Sequence, residues 1–310
     1  TQAWRQPGSA FKPFVYSAAL EQGFWPGTLI LDEPLDMPGE DAGETWSPRN
    51  DDGEFEGQVT LRRALARSKN VPTVRLMRAV GVKHVHEHMA RFGFDPARHP
   101  RNLTMALGTG AVTPLQMAGA YSVIANGGYK VEPYLVSKIT DGAGVTIFQA
   151  KPPEKKRVLD SRNAFIMDSI LRDVTVYGTA AAASPGLGRR DLAGKTGTTT
   201  DAVDGWFAGY GGGVVAVAWM GYDEPRTLGS KEFGSTLALP IWMDYMKRAL
   251  SGVPPRVLPQ PEGLVQEGEE WMYAENANGA AIRLLDVVPL PDSPPQEEPE
   301  AEEAEEIPEE

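Results

Sequence analysis

At 310 residues with 41% hydrophobic content, the chain is long enough for one large domain or two around a proper core. Its net charge of -12 is concentrated, because residues 296–310 hold nine glutamates and no Lys or Arg. The body is nearly balanced, which excludes a broad basic surface for nucleic acid. With no cysteine, disulfides, thiolate catalysis and cysteine metal sites are excluded too.

No apolar run approaches the ~18 residues of a membrane span, and no signal peptide precedes Thr1. An opening without Met reads as a fragment or a processed product. Pro7-Gly8 signals a turn, Ser9 is a favoured helix N-cap, and the run Phe11, Phe14, Val15, Ala18, Ala19 predicts a buried helix over about 9–22. Residues 26–57, rich in Pro, Gly, Asp and Glu, read as a long loop. Helical patterns follow from Val59 and through Val80, with Ser68-Lys69-Asn70-Val71-Pro72 between them, and again over about 82–92. Pro114 opens a helix that stops at Asn126-Gly127-Gly128, a C-terminal signal.

A hairpin is predicted over 134–149, with Asp141-Gly142 and Gly144 at its turn. Helices over about 161–175 and 178–183 lead to strands over 191–196, 206–210 and 214–219, and to an amphipathic helix over about 236–250. This order predicts an α+β fold, a helical lobe packed on a small antiparallel sheet, over residues 1–252. The remainder, 253–310, is Pro-rich and then acidic, and a largely disordered tail is expected, certainly beyond 290.

Three hydroxyl-bearing motifs lie in order along this frame. In Ser9-x-x-Lys12, residues three apart on a helix share a face, which places the Lys12 amine near the Ser9 hydroxyl. A serine with an adjacent base at a helix N-terminus is an activated nucleophile. The second motif is Ser68-x-Asn70. Ser161-Arg162-Asn163 repeats its pattern but follows Asp160 and reads as helix capping. The third, Lys195-Thr196-Gly197-Thr198, ends a strand. Its lysine and hydroxyls suit an extended peptide ending in a carboxylate, and Gly197 would let that peptide's backbone lie close. Each motif alone has an ordinary structural explanation as a cap, a turn or a solvated charge.

Together they form the motif set of serine β-lactamases and penicillin-binding proteins. The sequence also resembles the transpeptidase domain of class A penicillin-binding proteins in Arg5-Gln6-Pro7-Gly8-Ser9, Thr60 to Leu65, Ala106-Leu107-Gly108, Thr113-Pro114-Leu115, Gly178-Thr179-Ala180 and Trp206 to Tyr210. The resemblance implies a DD-transpeptidase that cross-links peptidoglycan stem peptides ending in D-Ala-D-Ala and is acylated by β-lactams, without a cofactor. It implies Ser9 as nucleophile, Lys12 as base, and Ser68 as a bridge between Lys12 and Lys195 that passes a proton to the leaving amine. It also implies Lys195 with Thr196 and Thr198 as holders of the terminal carboxylate, and Asn70 and Gly197 as further substrate contacts. Backbone N–H groups of Ser9 and Thr198 would form the oxyanion hole.

The family's sheet-completing strands, glycosyltransferase domain and membrane anchor would precede the first motif, so a truncated N-terminus and an open sheet edge are expected. Location on the periplasmic side of the inner membrane, with attachment only through that preceding part, is expected as well. A hydrolytic β-lactamase is the nearest rival, and no Glu-x-x-Leu-Asn segment lies between Ser68 and Lys195. A remnant that at most binds β-lactams is the other. His84, His86 and His88 raise a metal site, but an amphipathic surface helix explains them more simply, and no metal is expected.

Overall fold

Every residue of the helix Lys12–Leu20 (α1) is buried, which is why its sequence is apolar nearly all round. The computed structural model describes residues 2–39 and 44–285, and α1 runs through their centre. Phe14 has Phe11, Phe92, Phe94 and Tyr121 around it, with ring centroids 4.8–5.7 Å away. Ser9 does not cap this helix. It sits inside a 3-10 turn, Gly8–Phe11, that precedes α1. Pro13 has no N–H to offer the Ser9 carbonyl, so the Lys12 N–H takes it in the tighter pattern.

The expected long loop contains strands: Leu29–Asp32 (β1), Met37–Pro38 (β2), Thr45–Trp46 (β3) and Gly57–Thr60 (β4). β1 pairs antiparallel with β4, and β2 with β3. The helices Leu61–Ala66 (α2), Asn70–Val80 (α3) and Val82–Arg91 (α4) follow. Thr60 caps α2 by accepting from Arg63 N. Pro114–Ala125 (α5) starts on a capping box of Thr113 and Gln116. The strands Tyr129–Lys130 (β5) and Lys156–Arg157 (β8) bracket the hairpin Lys138–Thr140 (β6) and Thr146–Gln149 (β7). Ser161–Val176 (α6) starts with Asp160 accepting from Arg162 N, so the second Ser-x-Asn is a helix start.

The short helix expected at 178–183 lies at Ala183–Leu187 (α7) instead. Residues 178 and 179 are drawn against α2, with Thr179 N donating to Ala66 O and Gly178 too close to that oxygen for any Cβ. Ala193–Thr198 (β9), Gly205–Gly211 (β10) and Val214–Met220 (β11) form an antiparallel sheet in the order β11-β10-β9. Successive β10 side chains face opposite ways. Trp206 points toward the Ser9 turn, its Nε1 donating to Gln6 O at 2.8 Å. Phe207 meets Trp242 of Ala238–Ala249 (α8) edge-on.

The body does not end at Gly252. Leu264–Glu267 (β12) and Glu270–Tyr273 (β13) form a hairpin, and Leu284–Leu285 (β14) pairs parallel with β1. Met272 and Ala281 bury Trp25, and Thr28 donates to Ile282 O. Exchange of backbone hydrogen bonds and burial of these side chains hold residues that composition alone assigns to a tail. The acidic run 296–310 lies outside the described residues, among which no helix is long and apolar enough to cross a membrane.

Because Phe14 fills the centre of the aromatic cluster, Phe14→Ala is expected to lower unfolding free energy by about 3–5 kcal/mol. Equilibrium urea denaturation measures this, and a loss under about 1 kcal/mol would show the cluster to be loosely packed.

Candidate active site

The Ser9 turn is pressed between the helical lobe and β9 by missing side chains. Gly8 has a left-handed backbone, φ 53°, and a Cβ there would stand 2.3 Å from Thr198 O. A Cβ on Gly197 would stand 2.3 Å from Pro7 O and 2.9 Å from Ala10 Cβ. Gly197 therefore makes room for the nucleophile-bearing turn. It does not make room for a ligand backbone, as its place in the third motif suggested.

Ser68, Lys69 and Asn70 join α2 to α3. Ser68 adopts a left-handed backbone, φ 60°, which is rare for a residue with a Cβ and is held by its surroundings. The Lys12 Nζ donates to Asn70 Oδ1 at 2.6 Å, to Ser68 O at 2.7 Å and to Lys69 O at 3.2 Å, with Ser68 Oγ at 3.4 Å. From the other side, Lys195 Nζ donates to Ser68 Oγ at 2.7 Å and to Thr196 O at 3.2 Å. Both lysines are fully buried. One hydroxyl thus lies between two amines.

Burial pulls the Lys12 pKa down to about 8 against the opposing pull of Asp51, Asp32 and Asp52. Burial, and then the charge of Lys12, hold Lys195 well below the usual lysine range. A lysine in this state gives up its proton near neutral pH and can take one from a neighbour. Ser9 is not hydrogen-bonded to Lys12, contrary to the spacing argument. Its Oγ has no hydrogen-bond partner among the described residues, while three carbonyl oxygens claim the amine.

Ser9 stands where two clefts meet. A cleft of about 300 Å³ is lined by Ser9, Ser68, Thr179, Thr196, Thr198 and Ser235 among others. A wider one of about 1210 Å³ leads away past Trp46, Arg49, Leu107, Thr109 and Lys231. On β9, Thr196 Oγ1 bonds Thr179 Oγ1 at 2.6 Å, and Thr198 Oγ1 accepts from Gly234 N at 3.0 Å. Thr199 N donates to Asp204 O, so by the alternation of antiparallel pairs the Thr198 N–H faces away from β10, toward the Ser9 side.

The sequence reading missed a network beneath the second motif. Lys69, also buried, pairs with Asp52 at 2.8 Å, Glu56 at 3.5 Å and the fully buried Asp32 at 3.6 Å. Burial would lower its pKa, but Asp52, Asp32 and Glu56 outweigh that and leave it raised. Asn50 donates to Asp32 Oδ1 at 2.7 Å and accepts from the backbone N–H groups of Asn70 and Val71, capping α3. Asn70 Nδ2 donates to Arg49 O and to Asp51 Oδ1, both at 2.8 Å. The one signal available was Pro48-Arg49-Asn50-Asp51, a turn with two amide or carboxylate side chains. Of the three histidines, His86 and His88 are buried rather than displayed on a surface.

The penicillin-binding protein transpeptidase domain model matches residues 1–232, and the chain belongs to that family. Its relatives include Penicillin-binding protein 1A of Neisseria lactamica, 46% identical over 281 residues, which cover 89% of this chain and 35% of the relative. Penicillin-binding protein 1A of Pseudomonas aeruginosa is 40% identical over 313 residues, covering 85% of this chain and 38% of the relative. The chain thus spans little more than a third of the length of these curated relatives. The crystal structure of Penicillin-Binding Protein 1A from Haemophilus influenzae superimposes with a TM-score of 0.85 at 31% identity, over 89% of this chain and 49% of that one. The PonA1 protein from Mycobacterium tuberculosis in complex with penicillin V gives 0.72 at 28% identity, over 88% and 75%. These are α+β transpeptidase folds, as the element order predicted.

Removing the Lys69 charge strands the buried Asp32 without a counter-charge. Lys69→Met is expected to cost about 3–5 kcal/mol, measured by urea denaturation, with much of the loss recovered in Lys69→Met combined with Asp32→Asn. Equal stability of the single and double variants would remove Asp32 from the network.

Proposed function

We propose that this chain is a serine-type DD-transpeptidase domain that cross-links peptidoglycan and is acylated by β-lactams. The observation that carries this reading is Ser68 Oγ held at 2.7 Å from Lys195 Nζ and 3.4 Å from Lys12 Nζ, in the cleft that Ser9 also lines. Ser9 Oγ attacks the carbonyl between two D-alanines of a stem peptide while its proton passes to the neutral Lys12 amine. The oxyanion forms against the N–H groups of Ser9 and Thr198, each such donor contributing about 10²–10³ in rate.

The C–N bond then breaks. Its nitrogen takes a proton handed on through Ser68, and D-alanine leaves with the Ser9 ester in place. An amine of a second stem peptide attacks the ester, yields a new amide and returns the hydrogen to Ser9 Oγ. Lys195, Thr196 and Thr198 hold the terminal carboxylate, and Asn70, fixed by Arg49 and Asp51, carries the backbone of the donor peptide. Gly197 contributes by letting the turn approach. The wider cleft past Trp46 and Leu107, about 1210 Å³, is where the stem peptides lie. Such a reaction belongs where peptidoglycan lies, on the periplasmic side of the bacterial inner membrane.

Incubation with a fluorescent penicillin, followed by gel and mass spectrometry, is expected to give one stable adduct on Ser9, absent in Ser9→Ala. Rapid turnover of the adduct would instead make the chain a β-lactamase, and no adduct at all would overturn acylation. The neutral Lys12 amine is the active form, so acylation is expected to rise with pH and to level off above about 8, where that amine loses its proton. Lys12→Ala should slow acylation by roughly 10²–10⁴. A rate that falls between pH 7 and 8 would exclude Lys12 as the base.

A further inference from the structure

At the end of α1 opposite Lys12, a carboxylate and two imidazole nitrogens converge. Glu21 Oε2 lies 3.3 Å from His88 Nδ1 and 3.8 Å from His84 Nε2. His84 and His88, four apart on α4, share a helix face. Hydrogen bonding puts a proton on Nε2 of His88. Asn163 Nδ2 donates to Ser17 O, so Asn163 Oδ1 is the atom that receives the Ser17 hydroxyl proton, at 2.8 Å. Ser17 Oγ can then only accept from His88, which donates through Nε2–H at 2.9 Å. Nδ1 faces Glu21 Oε2 within hydrogen-bond distance and meets the guanidinium of Arg91, and a metal ion would take the place of any proton it carries. His84 Nε2 is buried and has no hydrogen-bond partner.

A carboxylate and two imidazole nitrogens this close together can share a cation. Arg91 supplies one, donating to Glu21 Oε2 at 2.7 Å, but its side chain is 40% exposed and free to turn into water. The three ligand atoms all lie within 4.8 Å of one another. Tetrahedral zinc, with bonds of ~2.0–2.2 Å, places its ligands ~3.3–3.6 Å apart, so small side-chain shifts suffice. We propose that Glu21, His84 and His88 bind a divalent transition-metal ion of the zinc type, with Arg91 displaced and the fourth position open to water. Ser17 and Asn163 orient His88 in the way that outer partners orient metal-bound imidazoles. His86 takes no part, since its Nε2 is engaged with Pro96 O at 3.0 Å. The ion would clamp the end of α1 to α4.

Cobalt(II) titration of the full chain, followed by visible absorption and by displacement with zinc, tests the proposal. One equivalent is expected to give the intense bands of a tetrahedral site. His84→Ala and Glu21→Gln are expected to weaken binding roughly tenfold or more, the scale that even outer partners reach. Arg91→Ala, by removing the resident cation, is expected to tighten it, and His86→Ala to leave it unchanged. His84, Glu21 and Arg91 are all partly exposed, so their replacement spares the core. The proposal is overturned if neither the parent nor Arg91→Ala binds cobalt or zinc saturably, or if binding survives His84→Ala undiminished.

Discussion

The chemistry of this fold depends on the desolvation of two amines around one hydroxyl. A lysine in water stays protonated near neutral pH and is a poor base. Lys12 and Lys195 are taken out of water by different parts of the chain, one by the central helix and one by the sheet. The charge of Lys12 further depresses proton binding by Lys195, and Ser68 separates them. Neither lobe could do this by itself. The site exists only where helix and sheet are pressed together, and Gly8 and Gly197 set how close that approach can be.

A second layer of charge holds this arrangement in place. The hydroxyl between the amines sits on a residue with an unfavourable backbone, and the next two residues are tied down by Asp32, Asn50, Asp51 and Asp52. Such a network stores its stability in full pairing, since every member is costly if left alone. It also places a negative field behind Lys12, which opposes the lowering of its pKa by burial. The balance between burial and those carboxylates sets where the Lys12 amine titrates.

Much of this was legible in the sequence because the motifs are short and local. Ser9 and Lys12, Ser68 and Asn70, and Lys195 through Thr198 each lie within four residues, and order along the chain joined them. What failed was the geometry of individual atoms. A three-residue spacing suggested that Lys12 meets Ser9, yet the amine is drawn to the carbonyl oxygens of Ser68, Lys69 and Asn70. Gly197 looked like an opening for a ligand and is an opening for the neighbouring turn. The Asp32, Asn50 and Lys69 cluster was invisible because its members are separated by tens of residues and each is common on surfaces. The strands inside 26–57 were missed for a related reason: β1 is satisfied by β4 and by β14, partners that composition cannot indicate.

The parallel contact of β14 with β1 makes the folded unit larger than the stretch that the family model matches. That match ends at residue 232, before the helix whose Trp242 closes one face of the sheet and before the segment that shields Trp25. A gene fragment cut at that boundary would encode both lysines and all three motifs while lacking the wall that keeps the sheet dry. The family model and the folded unit have different borders in this molecule, and only the second tells an experimenter where to place a stop codon.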